Sequence, residues 1–316
     1  MDVRRLIKFG NNSFVISLPK NWIVKNKLSK GSLLYLINTE TQIIISPQKT
    51  KKDGEEKSIT LDLRDALFET IRRKIIACYI NNYKEIKILF SSNKSAAEIR
   101  SIIQNLMALE VIEQGTNVIM AKDYLNMNDI ALMNLVRKMD TIIRTMFMDL
   151  NQVLSKGQVR DQGELAENFN SRDGDINRLT FLIMRYVKYV LMEPEMKKEG
   201  DDYDYLVFYE LAQYLERLAD ELKRAARTVT KEKIKNPNDI IQTFAGIEKL
   251  YLNAMKTYYN KDNEAAYKVA TEKNPILTSI VDLINAPGSD LGSQRIFEMQ
   301  RRMVSIISSM LRLVYQ

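Results

Sequence analysis

The chain has 316 residues, 45% apolar and 28% charged, so it is long enough for two or three folded domains and has the composition of a soluble protein. No stretch approaches the roughly 18 uninterrupted apolar residues of a membrane span, and the charged N-terminus is unlike a signal peptide; both favour the cytoplasm and no membrane insertion. Histidine is absent and Cys78 is the single cysteine, which excludes intrachain disulfides, thiolate metal clusters and histidine-assisted nucleophiles.

The net charge of +7 is concentrated near the N-terminus. Residues 1–52 hold ten Lys or Arg against two acidic residues, a local charge of +8. The rest of the chain holds 37 basic and 38 acidic residues. A cationic segment on a near-neutral body is typical of a module that binds a polyanion and is attached to a part with another task.

Residues 1–50 predict a small β domain, which we call the head. Strands are expected at 3–8 and 14–18, separated by a tight turn of glycine and asparagine. A short helix follows at 20–27, and a second hairpin is predicted from 33 to 45. A domain this small buries little surface by itself, so we expect the head to pair with a second copy.

The middle of the chain predicts a second, mixed domain. A polar segment at 48–58 lacks apolar periodicity and indicates a solvated linker. From 59 to 124 the apolar spacing alternates between that of strands and that of helices, which predicts a small β-α-β-α-β-β layer. Cys78 lies on the apolar stripe of the first helix of this layer, so we expect it in the core.

From 125 to 316 the strand signals stop and long helices follow. They form two successive sets of three, at 125–230 and 238–316, which suggests an internal repeat of antiparallel bundles. Pro275 is expected to kink or break the middle helix of the second set. The predicted fold class is therefore α+β, with a β head, a small α/β middle domain and a helical C-terminal domain.

Polar residues of the head are candidates for DNA contact. Cationic side chains can bind DNA phosphates, and amide and hydroxyl groups at a loop tip can hydrogen-bond to phosphates or to base edges. The candidates are Arg4, Arg5, Lys8, Asn11, Asn12, Ser13 and Lys20. The alternative from composition is that these charges only solvate the surface.

The order of motifs in the head resembles a known family. The segments Gly10-Asn-Asn-Ser, Phe14-Val-Ile-Ser-Leu-Pro-Lys20 and Leu28-Ser-Lys-Gly31 are similar to the swapped-hairpin AbrB, MazE and SpoVT domain across residues 1–47. The resemblance implies a homodimer with interlaced hairpins. It also implies a DNA-contacting face that includes Arg4, Arg5, Lys8 and the Asn12 loop.

Acidic residues in the helical region raise a second question. Asp140 interrupts an apolar stripe, and a buried carboxylate needs a partner. Asp173 lies one turn after Phe169, and Glu216 and Asp220 are four apart, so the last two project from one helix face. Carboxylates on facing helices can form an oxygen-rich metal site. The alternative is a solvated face with arginine counter-ions, for which the nearby candidates are Arg172, Arg178 and Arg217.

The same acidic segments resemble PhoU, a family of phosphate-uptake regulators built from two three-helix bundles. Phe169-Asn-Ser-Arg-Asp173-Gly-Asp-Ile-Asn177 and Tyr214-Leu-Glu216-Arg-Leu-Ala-Asp220 carry the resemblance, which extends over about residues 125–316. It implies a divalent or iron-type metal at Asp173, Glu216 and Asp220. The second bundle departs from the pattern, because Lys273, Leu277 and Arg302 stand at the acidic positions, and Asn177 replaces an aspartate in the first bundle. The resemblance therefore implies one metal site at most.

An AbrB-like head joined to a PhoU-like body resembles archaeal phosphate-uptake regulators of that architecture. The function expected from this resemblance is that of a dimeric DNA-binding transcription regulator of phosphate uptake or related genes. The alternative is an adaptor that regulates a phosphate transporter or a signalling protein such as a sensor kinase, with the head serving only to dimerise. An enzyme is not expected, because there is no glycine-rich phosphate loop, histidine or activated nucleophile.

Overall fold

The computed structural model describes residues 3–38, 43–47, 57–156, 162–192, 202–232, 234, 237–287 and 290–315. The chain divides into two compact units, at 1–56 and 57–316. The second unit includes both the mixed layer and the helices, so the finer division into domains at 59–124 and 125–316 stays a prediction. Most of the expected linker, at 48–56, lies outside the described residues.

The head contains two antiparallel hairpins and one short helix within its described part. Strand β1 (Ile7–Phe9) pairs with β2 (Ser13–Val15), helix α1 spans Lys20–Lys25, and β3 (Tyr35–Asn38) pairs with β4 (Ile43–Ser46). Gly10 permits the first turn because its φ is +70°, a left-handed value that side chains with a Cβ rarely adopt. Strand β1 begins later than predicted, and the tip of the second hairpin lies outside the described residues.

The head has no core of its own among the described residues. None of its described side chains is buried. Apolar side chains of both hairpins are largely exposed, among them Leu6 at 67%, Phe9 at 69% and Leu36 at 66%. Two-stranded hairpins are marginal in water, so these strands need an apolar surface to cover them.

The second unit begins with a four-stranded sheet and two helices, here called the layer. Its elements are β5 (Ser58–Asp62), α2 (Phe68–Ile80), β6 (Glu85–Leu89), α3 (Asn93–Gln104), β7 (Leu109–Gln114) and β8 (Val118–Asp123). This is the predicted element order. The sheet order is β5-β6-β8-β7, with β5 parallel to β6 because α2 crosses between them, and the other pairs antiparallel. Cys78 is buried in the core of this layer, as predicted.

Six long helices complete the described part of the second unit. The first set is α4 (Leu132–Lys156), α5 (Gln162–Met192) and α6 (Asp202–Lys231); the second set is α7 (Pro237–Asn260), α8 (Asn263–Asn285) and α9 (Leu291–Tyr315). Their apolar faces form one continuous buried cluster. Of the kink or break predicted at Pro275, the break does not occur: α8 is continuous there, and its packing on α7 and α9 supports the turn that lacks a hydrogen bond. Within the described residues, no helix is long and apolar enough to cross a membrane.

Candidate functional site

The structure brings the three predicted metal ligands together between α5 and α6. Asp173 projects from α5, and Glu216 and Asp220 project from α6; we call these three residues the acidic cluster. Lys223, one turn beyond Asp220, joins the two helices. Its Nζ lies 2.8 Å from Asp173 Oδ2 and 2.8 Å from Asp220 Oδ1.

The electrostatics of the cluster follow from partial burial. Burial raises the pKa of Glu216, and the negative charges of Asp220 and Asp173 add to this effect. Burial alone would lower the pKa of Lys223, but hydrogen bonds to Asp173 and Asp220 outweigh it and the pKa is raised. The lysine therefore carries its charge at neutral pH, in the position of a counter-ion to the cluster.

The cluster as it stands does not fit a metal ion. Lys223 occupies one oxygen of each aspartate, and Asp173 Oδ2 also accepts a hydrogen bond from Asn177 Nδ2 at 3.2 Å. Arg224 pairs with the other oxygen of Asp220 at 2.6 Å. No group of three or more acidic or cysteine side chains in the described residues is arranged to hold a metal. Metal binding at Asp173, Glu216 and Asp220 stays a prediction, which the charge of Lys223 opposes.

Lys223, the cation that pairs with both aspartates of the cluster, is a residue that the sequence interpretation missed. The candidates were Arg172, Arg178 and Arg217, but Arg172 pairs with Asp149 of α4, and Arg178 lies 3.8 Å from Asp175. Arg217 lies over the ring of Tyr214, 5.9 Å from its centroid, and its charge opposes the rise in the pKa of Glu216, so it acts on the cluster as predicted. The spacing of Lys223, three residues after Asp220 on one helix face, was the available signal.

Asp140 has the buried partners that its position demands. Its carboxylate accepts hydrogen bonds from Tyr251 Oη at 2.7 Å, from Tyr259 Oη at 3.0 Å and from Arg144 Nε at 2.9 Å. The two tyrosines lie on α7, so this network joins the first helical set to the second. Burial, together with the charge of Asp140, raises the pKa of Tyr251 well above its usual value. Asp140 is therefore a structural residue.

A second buried network joins the layer to the first helical set. Arg185 of α5 donates from Nη1 to Asp123 Oδ1 at 3.0 Å and from Nη2 to Asp123 Oδ2. Its Nε donates to Asn82 Oδ1 at 2.8 Å, and its guanidinium stacks on the ring of Tyr79. Lys84 adds a second cation, with Nζ 2.7 Å from Asp123 Oδ2. The side chains of Arg185 and Asp123 are both fully buried, so this pairing fixes the layer against α5.

A cavity of about 490 Å³ opens beside the acidic cluster, between α5 and the helices of the layer. Its lining includes Asp173, Asn177 and Arg178 from α5, with Arg72 and Asn105 from the layer. The acidic motif on α5 is thus reachable from solvent, and the layer forms one wall of its approach.

The candidate DNA contacts of the head are all exposed. Arg4 and Arg5 precede β1, Lys8 lies in β1, and Asn11 and Asn12 form the turn before β2. Ser13 begins β2, whereas Lys20 stands apart at the start of α1. Six of the seven candidates therefore belong to the first hairpin and its approach.

Comparison with known families gives one match. Residues 136–229 match the family model of the PhoU domain, a range that contains Asp173, Glu216, Asp220 and Lys223. No curated protein matches the chain. The predicted resemblance is thus confirmed for the first helical set; its extension to residue 316 and the AbrB-like head stay predictions. The helices from 136 to 229 are similar to a PhoU domain.

Proposed function

We propose that this protein is a homodimeric, DNA-binding regulator of phosphate uptake or related genes. The PhoU-like region of the first helical set supports the regulatory part. The observation that supports dimerisation and DNA binding is the combination of exposed apolar strands and concentrated positive charge in the head.

A second copy of the chain is the partner that best covers the exposed strands. Both faces of the first hairpin carry apolar groups: Ile7 pairs with Val15, and Lys8 lies opposite Phe14. The two hairpins of one head form separate sheets. Interlacing the hairpins of two copies would pair their free edges and bury Leu6, Phe9 and Leu36 together.

Dimerisation would also double the positive charge available to DNA. Residues 1–52 of each copy carry a charge of +8, and such charge strengthens binding to the phosphate backbone through the release of counter-ions. Arg4, Arg5 and Lys8 suit phosphates, whereas Asn11 and Asn12 can bond to base edges. The head would therefore supply both affinity for DNA and contacts that can distinguish one base sequence from another.

Duplex DNA binding by the full chain, measured by fluorescence anisotropy over a range of salt concentrations, tests the proposal. The variant Arg4→Gln/Arg5→Gln should weaken binding and reduce the salt slope by about two, because each arginine is expected to neutralise one phosphate. Lys249→Gln/Lys268→Gln removes the same charge from exposed positions of the helical region and is the matched control. The absence of binding at low salt, or an equal loss in the control, would refute DNA binding by the head.

The adaptor alternative rests on the PhoU-like helices themselves, because that family regulates phosphate transport. The Arg4→Gln/Arg5→Gln variant separates the two functions in cells. A regulator acting through DNA should lose control of phosphate uptake together with DNA binding. Control of uptake that persists in this variant would favour the adaptor.

A further inference from the structure

A groove between α8 and α9 combines positive charge with hydroxyl groups. Helix α8 contributes Lys273, Leu277 and Val281, and α9 contributes Val304 and Arg301; Ser305, Ser308 and Arg312 complete its lining. On α8 the three lining residues follow one another at intervals of four. On α9, Arg301, Ser305, Ser308 and Arg312 follow at intervals of four, three and four, so each set lies on one face of its helix. The enclosed volume is about 430 Å³. We call this feature the basic groove.

The positive charge of the basic groove is not balanced locally. Among the described residues, no acidic side chain lines it. Lys273 Nζ donates to Ser308 Oγ at 2.9 Å, and Arg312 Nη2 donates to Ser309 Oγ at 2.9 Å. In the described residues neither cation has a carboxylate partner, whereas Arg301 pairs with Glu298 at 2.8 Å. Lys273 and Arg312 therefore leave a local excess of positive charge.

We infer that the basic groove binds a phosphate group, either free inorganic phosphate or the phosphate of a small phosphomonoester. An ammonium and a guanidinium provide charge-assisted donors, and the planar guanidinium can bind two phosphate oxygens at once. Ser305 and Ser308 add neutral donors from the same helix face. Buried Val304, half-buried Leu277 and exposed Val281 add apolar contact surface beside these donors.

This site is independent of the proposed DNA binding. It lies outside residues 136–229, which match the PhoU domain, and it uses no residue of the head. The volume exceeds what one phosphate ion needs, so the groove also has room for the organic part of a phosphomonoester beside the apolar contact surface.

Isothermal titration calorimetry of the full chain at low ionic strength tests the site. Sodium phosphate and phenyl phosphate are titrated separately. A comparison of their affinities shows whether the groove prefers the free ion or an ester. We expect one binding event per chain for at least one probe. Lys273→Met/Arg312→Met should weaken it by at least about tenfold because both unbalanced cations are removed, whereas Lys273→Arg should retain it.

Lys268→Met is the control, since Lys268 is an exposed lysine of α8 that does not line the basic groove. Binding unchanged in Lys273→Met/Arg312→Met, an equal loss in Lys268→Met, or no heat with either probe would overturn the inference. Far-UV circular dichroism checks the fold of each variant. If the double variant loses helical content, Ser308→Ala tests the site instead, because it keeps both cations. We expect this variant to bind phosphate more weakly. Unchanged binding would contradict the site.

Discussion

The two helical sets place opposite charges at corresponding positions. Between the second and third helices of the first set, α5 and α6, lies an acidic cluster in which Lys223 pairs with Asp173 and Asp220. Between the second and third helices of the second set, α8 and α9, lies a basic groove that no acidic side chain of the described residues lines. Lys223 therefore contributes to the fold, whereas Lys273 and Arg312 have no carboxylate partner in the described residues and are available to the proposed ligand.

The largest effect should come from the buried pair that joins the first set to the layer. Arg185→Met leaves the carboxylate of Asp123 buried with Lys84 as its remaining cation, so the free energy of unfolding should fall by about 3 kcal/mol. Urea unfolding followed by circular dichroism measures it. Arg312→Met, the same change in the second set, should cost less than about 0.5 kcal/mol. An equal loss of unfolding free energy in both variants would mean that the arginines of the two sets contribute alike to stability.

Lys223→Met removes the internal cation of the acidic cluster. The loss of two ion pairs at a largely buried ammonium should lower the free energy of unfolding by about 1–3 kcal/mol at neutral pH. Lys273→Met, the identical change in the basic groove, should leave it within about 0.5 kcal/mol.

Lys223→Met also tests whether the acidic cluster can bind a metal ion. Without the ammonium, three carboxylates face one another, and Mn²⁺ should raise the thermal midpoint of this variant but not that of the unmodified protein. A similar rise in the unmodified protein would instead support a metal at Asp173, Glu216 and Asp220 alongside the lysine.

Glu216 should produce the smallest effect, one that depends on pH. Because its pKa is raised in the folded state, folding favours the protonated carboxyl and the ionised form carries a stability penalty. The penalty is absent below the usual glutamate pKa of 4.5, appears as pH rises through the folded pKa, and is complete above it. Glu216→Gln should therefore stabilise the protein by about 0.5 kcal/mol near neutral pH and by nothing in acid.

Urea unfolding at a series of pH values measures this difference. Glu210→Gln, at an exposed position of the same helix, is the control and should leave the curve unchanged. A Glu216→Gln variant that is less stable at neutral pH would mean that the ionised carboxylate stabilises the cluster.

Much of the fold was predictable because its signals are local. The apolar periodicity predicts two sets of three long helices, which the structure has as α4 to α6 and α7 to α9, and the alternation of strand and helix spacing predicts the layer. Local preference predicts a kink or a break at Pro275, and of these the break is prevented because neighbouring helices hold α8 continuous. For Asp140 the need for partners was evident, but Tyr251 and Tyr259 lie more than a hundred residues away along the chain.

The sequence by itself determined where charge and apolar surface lie along each element: the cationic head, the acidic motifs of α5 and α6, and the cationic positions of α8 and α9. Only the tertiary structure decided which charges meet. Helix packing places Lys223 between Asp173 and Asp220, and it leaves Lys273 facing Ser308 without a carboxylate in the described residues. The physical reason is that ion pairs act over a few ångströms, and such distances between distant segments are set by the packing of the core.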